Sequence, residues 1–219
     1  AFRASALVSV SLPASLGTIG SHAFSGIQTL TSVTIANGSS LISIGQSAFM
    51  DAGLTSVNLE AASALEQIGE LAFSGTGIAA LTFIEFPEST ADGGIALGNE
   101  LFASCWQLTR VYISASISSV GSAFARCMSI QEIEVAPENQ NFQAVDGEPL
   151  LLTVERDGEG EQSGMVITAA FGAVSGNVEG EAGSYRIPDV VTAIGESAFR
   201  GQNNIRKLII PAGVTDIGN

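Results

Sequence analysis

Few residues of this 219-residue chain are of the types that perform nucleophilic or acid–base chemistry. The chain has one histidine, His22, and two cysteines, Cys105 and Cys127. A catalytic triad needs a base that is oriented by a carboxylate beside a nucleophile, and no local pattern supplies these partners to His22. Metal sites built on cysteine and histidine are disfavoured by the same scarcity. The sequence therefore predicts a protein that is not an enzyme, with no catalytic residue, no metal site and no cofactor.

Oxygen ligands are concentrated in one glycine-rich segment, which holds Glu155, Asp157, Glu159 and Glu161. Calcium takes oxygen ligands of this kind, but the spacing matches no calcium-binding loop. The alternative is the acidic tip of a hairpin, and the sequence favours that alternative.

The charge of the chain is one-sided, with 8 Lys and Arg against 22 Asp and Glu and a net charge of −14. Tight nucleic-acid binding needs clustered Lys and Arg. We therefore exclude nucleic acid, and anionic membrane surfaces with it, as main partners. No apolar run approaches the ~20 residues of a transmembrane helix, so the sequence predicts no membrane-spanning segment. We expect the chain to be a monomer.

The clearest feature of the sequence is a repeat, in which an aliphatic residue and a glycine are followed after three or four residues by phenylalanine. The dipeptide recurs at Ile19-Gly20, Ile44-Gly45, Ile68-Gly69, Leu97-Gly98, Val120-Gly121, Ile194-Gly195 and Ile217-Gly218. The phenylalanines are Phe24, Phe49, Phe73, Phe102, Phe124 and Phe199. Counted from Phe2, their intervals are 22, 25, 24, 29, 22 and then 75 residues. A period in this range is typical of a solenoid.

A second motif follows each phenylalanine, with apolar residues at its first, fourth and sixth positions. Its copies span 30–35, 54–59, 108–113, 130–135 and 205–210, and the copy between them fits either 78–83 or 81–86. The alternation predicts a short strand, and stacking of such strands buries their apolar face in a parallel sheet. An ordinary βαβ sheet would need longer helices and connections. We expect the repeat glycine to turn the chain and the phenylalanine to fill the coil.

Cys105 and Cys127 occupy the same register in adjacent repeats. Neighbouring strands lie ~4.8 Å apart, which is within the Cα spacing of a disulfide. In-register side chains point in parallel, however, so we favour two free buried thiols over a bond. Trp106, the only tryptophan, follows Cys105, and we expect a partly buried packing residue rather than an exposed anchor.

The variable strand positions should face solvent in two rows. One row is Ser9, Ser32, Ser56, Ala80, Arg110, Glu132 and Lys207, and the other is Ser11, Thr34, Asn58, Thr82, Tyr112, Glu134 and Ile209. Repeat proteins commonly bind through such a face, and Tyr and Arg are enriched at binding hot spots. We therefore predict Arg110, Tyr112, Glu132 and Glu134 as a ligand-binding patch. The alternative is a solvated sheet face.

The combined pattern, Ile194-Gly-Glu-Ser-Ala-Phe199 followed by residues 205–211, resembles the BspA-like leucine-rich repeat family. Members of that family often carry cysteine three residues after the phenylalanine, where Cys105 and Cys127 stand. They also often carry an interrupted repeat with an Asp-Gly hairpin, and Asp146-Gly147 is similar. The resemblance implies extracellular or cell-surface proteins of bacteria or protists that attach to host matrix proteins or to other cells. It brings no catalytic residues.

Together these features predict an α/β solenoid, a leucine-rich-repeat right-handed superhelix with a short-stranded parallel sheet on one face. Short helical or 3-10 turns are expected at the Ala-Phe corners, together with one β-hairpin-like insertion. We expect a single solenoid over 1–219 that is truncated at both ends, with an irregular repeat or hairpin insertion at 136–184. The expected function is adhesion, with an extracellular protein or glycan bound at the exposed sheet face. The alternative is a structural spacer that projects other domains from the cell surface.

Overall fold

The computed structural model describes residues 1–3, 5–81, 95–146, 148–170, 177–196, 198–200 and 202–218. These residues form a β-solenoid of stacked, mostly parallel strands. In chain order the strands are β1 (Ser9–Leu12), β2 (Thr18–Ile19), β3 (Ser32–Ile35), β4 (Ser43–Ile44), β5 (Ser56–Val57), β6 (Gln67–Ile68), β7 (Ala80–Leu81), β8 (Ile95–Ala96), β9 (Arg110–Ile113), β10 (Ile117–Ser119), β11 (Glu132–Val135), β12 (Phe142–Val145), β13 (Glu148–Arg156), β14 (Gln162–Ala170), β15 (Ser184–Arg186), β16 (Ala193–Ile194), β17 (Lys207–Ile209) and β18 (Asp216–Ile217).

Most coils contribute strands to two parallel sheets, where the sequence predicts one. The second motif forms the first sheet face, in the parallel groups β1-β3-β5, β7-β9-β11 and β15-β17. A shorter strand lies at the residues before the repeat glycine and forms the second face, in the groups β2-β4-β6 and β8-β10. The aliphatic residue ends the strand in the first group and directly follows it in the second. The strands of the second face are two or three residues long, which is too short for a sequence pattern to indicate.

The predicted helical turns at the Ala-Phe corners, and with them the α/β class, are wrong for the described residues. Their one helical element is a 3-10 turn at Leu59–Ala61, away from those corners. At the first corner the Phe24 amide donates to the Ala48 carbonyl at 2.7 Å, and the Gly26 amide donates to the Met50 carbonyl at 2.8 Å. Because alternate amides bond to the next coil, they are not available for the i→i−4 bonds of a helix. The right-handed sense of the superhelix stays a prediction.

Left-handed backbone conformations recur on both sides of the phenylalanine. Two residues before it, φ is 55° at His22, 53° at Ser47, 58° at Leu71 and 51° at Glu100. Two residues after it, φ is positive at Gly26, Asp51, Gly75, Ser104 and Arg126. A left-handed residue interrupts a helix and costs about 1–2 kcal/mol when it is not glycine. The corner therefore bends at two fixed positions, whichever side chain stands there.

The phenylalanines form a continuous stack through the coil interior, as the sequence predicts. Ring centroids are 5.1–5.6 Å apart from Phe2 to Phe124, and adjacent ring planes differ by 5–11°. Phe49, Phe73 and Phe102 are fully buried. The first hydrophobic cluster extends to Leu151. A second cluster begins at Leu150, and in it Phe199 packs at a tilt against Tyr185.

The interval between Phe124 and Phe199 holds antiparallel strands. β12 pairs with β13 and β13 pairs with β14, and both pairings are antiparallel. β14 then pairs in parallel with β16, with Val166 opposite Ala193. The hairpin strands thus join the second sheet face of the following coils. The boundaries 136–184 and a single solenoid over 1–219 stay predictions.

The register of the ambiguous repeat follows from strand pairing. Ala80 lies opposite Arg110 and Leu81 lies opposite Val111. This register corresponds to a motif that begins at Ile78. The remaining residues of both candidate motifs, 82–86, including Thr82, lie outside the described residues.

Several repeat glycines have a different role from the predicted one. The φ of Gly45 lies outside the left-handed region, and a Cβ there would stand 2.5 Å from the Ser21 amide nitrogen of the preceding coil. At Gly69 a Cβ would stand 2.5 Å from the Gln46 amide nitrogen. Both neighbouring atoms belong to the backbone and cannot rotate away. At Gly45 and Gly69 glycine is therefore needed for the close approach of two coils rather than for a turn. Gly121 does take the predicted turning role, with a φ of 42°.

Replacing Gly45 with alanine should destabilise the protein by about 1–3 kcal/mol, because the added methyl group overpacks a rigid backbone. The measurement is urea unfolding followed by circular dichroism. Gly17→Ala is the matched control, because a Cβ there meets no atom within 4 Å and the next coil carries Ile42 at the same place. Equal stability of the Gly45→Ala and Gly17→Ala proteins would contradict the close-approach explanation.

Candidate functional site

The two predicted rows of outward side chains form on the first sheet face. Ser9, Ser32 and Ser56 lie side by side on β1, β3 and β5. Arg110 and Glu132 lie side by side on β9 and β11. The rows do not run without interruption, because the described strands of this face belong to three separate sheets.

The four residues of the predicted patch come together on β9 and β11. Arg110 is opposite Glu132, and Tyr112 is opposite Glu134. The side chains of Arg110 and Glu132 are 66% and 43% exposed, Glu134 is exposed, and Tyr112 is half-buried. The strand pairing thus gathers an aromatic ring, a guanidinium and two carboxylates. Whether they bind a ligand stays a prediction.

Arg110 and Glu132 form an ion pair between adjacent coils, with 2.5 Å between the guanidinium Nε and a carboxylate oxygen. A hydrogen bond from Arg110 lowers the pKa of the Glu132 carboxyl, and the same bond raises the pKa of Arg110. Glu132 therefore keeps its charge to lower pH than a free glutamate. Because both groups are exposed, water screens the attraction and the pair adds little to stability.

Other members of the two rows are placed differently. Asn58 is only partly exposed to solvent. Its side-chain amide exchanges two hydrogen bonds with the backbone of Ile35. Lys207 and Ile209 lie on β17, in a sheet that contains neither β9 nor β11. Lys207 bonds Glu181 at 2.7 Å. The patch of Arg110, Tyr112, Glu132 and Glu134 is therefore on a different sheet from Lys207 and Ile209.

A groove lies beside β11, where the hairpin strands pack against the first sheet face. Its cavity volume is about 590 Å³. Its wall on the sheet side includes Tyr112 and Glu134, and its wall on the hairpin side includes Gln143, Arg156 and Gln162. The residues on the sheet side were predicted from the sequence, whereas the groove and its hairpin side were not. Repeat spacing carries no information on how an insertion folds back, although the amide-rich run 139–143 was a signal in the sequence.

Asn139 holds the floor of the groove through four hydrogen bonds. Its side-chain nitrogen donates to the carbonyls of Ser114 at 2.7 Å and of Ile117 at 3.0 Å. Its side-chain oxygen accepts from the amides of Asn141 at 2.8 Å and Phe142 at 2.9 Å. Asn139 is buried, and the four bonds use its full capacity. This residue ties the hairpin to the preceding coil.

Arg156 fixes the rim of the groove. Its Nη1 atom donates to the Gly160 carbonyl at 2.9 Å, and its Nη2 atom donates to the side-chain oxygen of Gln140 at 3.1 Å. The first bond closes the hairpin tip, and the second joins β13 to the segment before β12. Two of the donor groups of the Arg156 guanidinium are thus already bonded within the protein.

Among the residues that the structure describes, the other side chains of reactive type do not assemble a second site. His22 is exposed at its corner. The described residues contain no group of three His, Cys, Asp or Glu that could hold a metal ion. At the acidic hairpin tip, the Asp157 carboxylate accepts the amides of Glu159 and Glu161, as in a turn. Trp106 is 56% exposed, so the expectation of a partly buried packing residue is wrong.

The two cysteines are free and buried in the structure. The Cys105 thiol donates to the Phe73 carbonyl, and the Cys127 thiol donates to the Phe102 carbonyl. A hydrogen bond with Cys105 and burial together raise the pKa of the Cys127 thiol. A raised pKa leaves little thiolate, so Cys127 is an unreactive packing residue.

Comparisons with known proteins agree with the repeat and the fold. A family model described as a BspA type leucine rich repeat region matches residues 1–130 and 180–219 in six copies. No curated protein matches the chain. No helix among the described residues is long and apolar enough to span a membrane.

Several solved bacterial structures share the fold. A leucine-rich repeat protein from Eubacterium ventriosum aligns over 97% of this chain and 50% of its own, with 23% identity and a TM-score of 0.71. The pneumococcal vaccine antigen PcpA aligns over 97% and 47%, with 22% identity and a TM-score of 0.72. A leucine rich cell surface protein from Faecalibacterium prausnitzii aligns over 97% and 66%, with 17% identity and a TM-score of 0.58. The chain thus spans about half the length of the first two proteins.

Replacing Asn139 with alanine should destabilise the protein by about 2–3 kcal/mol, because four backbone groups lose a buried partner. Urea unfolding measures the change. Gln143→Ala is the control, since Gln143 is an exposed amide on the same hairpin and should leave stability unchanged. If Asn139→Ala were as harmless as Gln143→Ala, the groove floor would not depend on these bonds.

Proposed function

The chain belongs to the BspA-type leucine-rich repeat family, and from this premise we propose that it is a non-catalytic adhesion module of a cell-surface protein. It engages an extracellular protein or glycan through the first sheet face. The observation that supports this function is the patch of Arg110, Tyr112, Glu132 and Glu134 on β9 and β11. A location at the cell surface is in line with the relatives described as a cell surface protein and a vaccine antigen.

The patch differs in chemistry from the earlier strands of the same sheet face. On β1, β3 and β5 the outward residues include Ser9, Ser32 and Ser56, which offer small hydroxyls and little area for contact. Tyr and Arg supply large contact surfaces and directional bonds, and they are enriched among residues that dominate binding energy. The patch is thus the part of the described face that is best suited to recognition.

The second candidate function is a structural spacer that projects other domains from the cell surface. The uniform serines on β1, β3 and β5 favour the spacer function, because a spacer needs only a regular, soluble coil. The two functions differ in one measurable respect, which is saturable binding to an extracellular molecule.

The purified chain should bind at least one component of an array of extracellular matrix proteins and glycans at physiological salt. The double variant Arg110→Ala and Tyr112→Ala should lose at least tenfold in affinity for that component, because it removes both hot-spot types. Surface plasmon resonance measures the affinity. The matched control is Ser9→Ala with Ser11→Ala, on the same face, which should bind like the wild type.

The outcomes separate the candidates. Saturable binding with an unchanged affinity of the double variant would reject the patch as the binding site while keeping the adhesion function. Absence of saturable binding across the array would favour the spacer.

A further inference from the structure

The groove beside β11 is a concave site built from two different structural elements. It lies between the parallel sheet and the hairpin strands, and its volume of about 590 Å³ is in the range of roughly 300–1,000 Å³ for small-ligand sites. It is also the place where the repeat is interrupted. Much of its lining, including Glu134, Gln143 and Gln162, falls outside the ranges that match the family model.

The rim of the groove carries planar polar groups that can each make paired hydrogen bonds. Gln143 and Gln162 present side-chain amides, and Glu134 and Asp146 present carboxylates, and all four residues are exposed. An amide both donates and accepts, and a carboxylate accepts through two oxygens. Such groups match the adjacent hydroxyls of a sugar ring, each of which also donates and accepts.

The groove also offers apolar surface beside these polar groups. The ring of Tyr112 is half-buried, and Val135, Ala136 and Pro137 continue the same wall. An aromatic ring with a polar end suits a ligand that is apolar on one face and polar at its edge. A pyranose ring has this form, since its C–H groups lie on its faces and its hydroxyls lie around its rim.

The geometry of the groove is fixed before any ligand arrives. Asn139 holds the floor through its four hydrogen bonds, and the bond of Arg156 to Gln140 holds the rim. A preorganised site loses less conformational entropy on binding. This matters for a sugar, because its hydroxyls gain little free energy when they exchange water for protein.

The charges in the groove select among sugars. Glu134 and Asp146 are exposed carboxylates, the Arg156 guanidinium already bonds Gln140 and Gly160, and the chain has a net charge of −14. A sialylated or sulfated glycan would meet repulsion here. An extended peptide that adds a strand needs a free sheet edge, whereas on this side β12 and β13 pack against β11.

From these observations we propose that the groove beside β11 binds a neutral oligosaccharide of two or three hexose units. The proposal rests on the adhesion function and gives the ligand class of its site. Tyr112 covers an apolar sugar face, while Glu134, Gln143, Asp146 and Gln162 bond the hydroxyls.

The test is isothermal titration of the purified chain with maltotriose, cellotriose, mannotriose and N-acetyllactosamine, and with sialylated N-acetyllactosamine as the charged counterpart. At least one neutral probe should bind saturably, and sialylation should weaken binding at least tenfold. The double variant Gln143→Ala and Gln162→Ala should lower the affinity for the neutral probe at least tenfold. The control Gln67→Ala with Gln107→Ala removes two exposed amides elsewhere and should change nothing.

Three results would overturn the proposal: no saturable binding of any neutral probe, tighter binding of the sialylated probe, or equal affinities of the groove variant and its control. Binding of an unglycosylated matrix protein that the groove variant abolishes, without sugar binding, would also overturn it and assign the groove to a protein. The adhesion function is judged separately, since binding to matrix proteins on the array survives a failure of every sugar probe.

Discussion

The distance between successive coils is the constraint on which the other features depend. Phenylalanine rings in neighbouring coils stack at 5.1–5.6 Å, close to the ~4.8 Å between hydrogen-bonded strands. Ring stacking and backbone bonding are therefore satisfied at one separation. At that separation a Cβ at Gly45 or Gly69 would collide with the backbone of the preceding coil, so glycine is required. Alternate corner amides reach carbonyls of the next coil, so a helix cannot form there.

The same constraint explains why the candidate site lies where it does. A regular coil presents nearly the same surface as its neighbours, because its backbone must follow theirs. After Phe124 the antiparallel strands β12, β13 and β14 follow. A hairpin cannot copy the path of a coil, so its junction with the sheet leaves a concave surface. Asn139 closes the gap at the floor with four hydrogen bonds, and the groove remains above it.

The features that could be predicted from the sequence are those that repeat at a fixed interval. The buried phenylalanines, the alternating strands and the neighbouring positions of Arg110, Tyr112, Glu132 and Glu134 follow from period and register alone. The left-handed corners do not, because His22, Ser47, Leu71 and Glu100 share a backbone angle and no side-chain chemistry. The groove does not either, since the bonds from Asn139 to Ser114 and Ile117 span more than 20 residues. The exposure of Trp106 does not follow from the repeat either, because the residue occurs once and its neighbour Cys105 is fully buried.

The electrostatic state of the patch is compatible with the proposed role in reversible binding. Arg110 bonds a neighbour on the next coil rather than a buried partner, and the two side chains are 66% and 43% exposed. Breaking an exposed pair of this kind costs little, so Arg110 and Glu132 can exchange each other for groups of a ligand. A buried pair would instead oppose separation by the cost of an unpaired charge. In the groove, by contrast, separate residues serve structure and binding. Asn139 and Arg156 bond within the protein and hold the shape of the groove, whereas the exposed amides of Gln143 and Gln162 are available to a ligand. The first sheet face thus combines an adaptable ion pair with a rigid cavity, and these two surfaces meet at Tyr112 and Glu134.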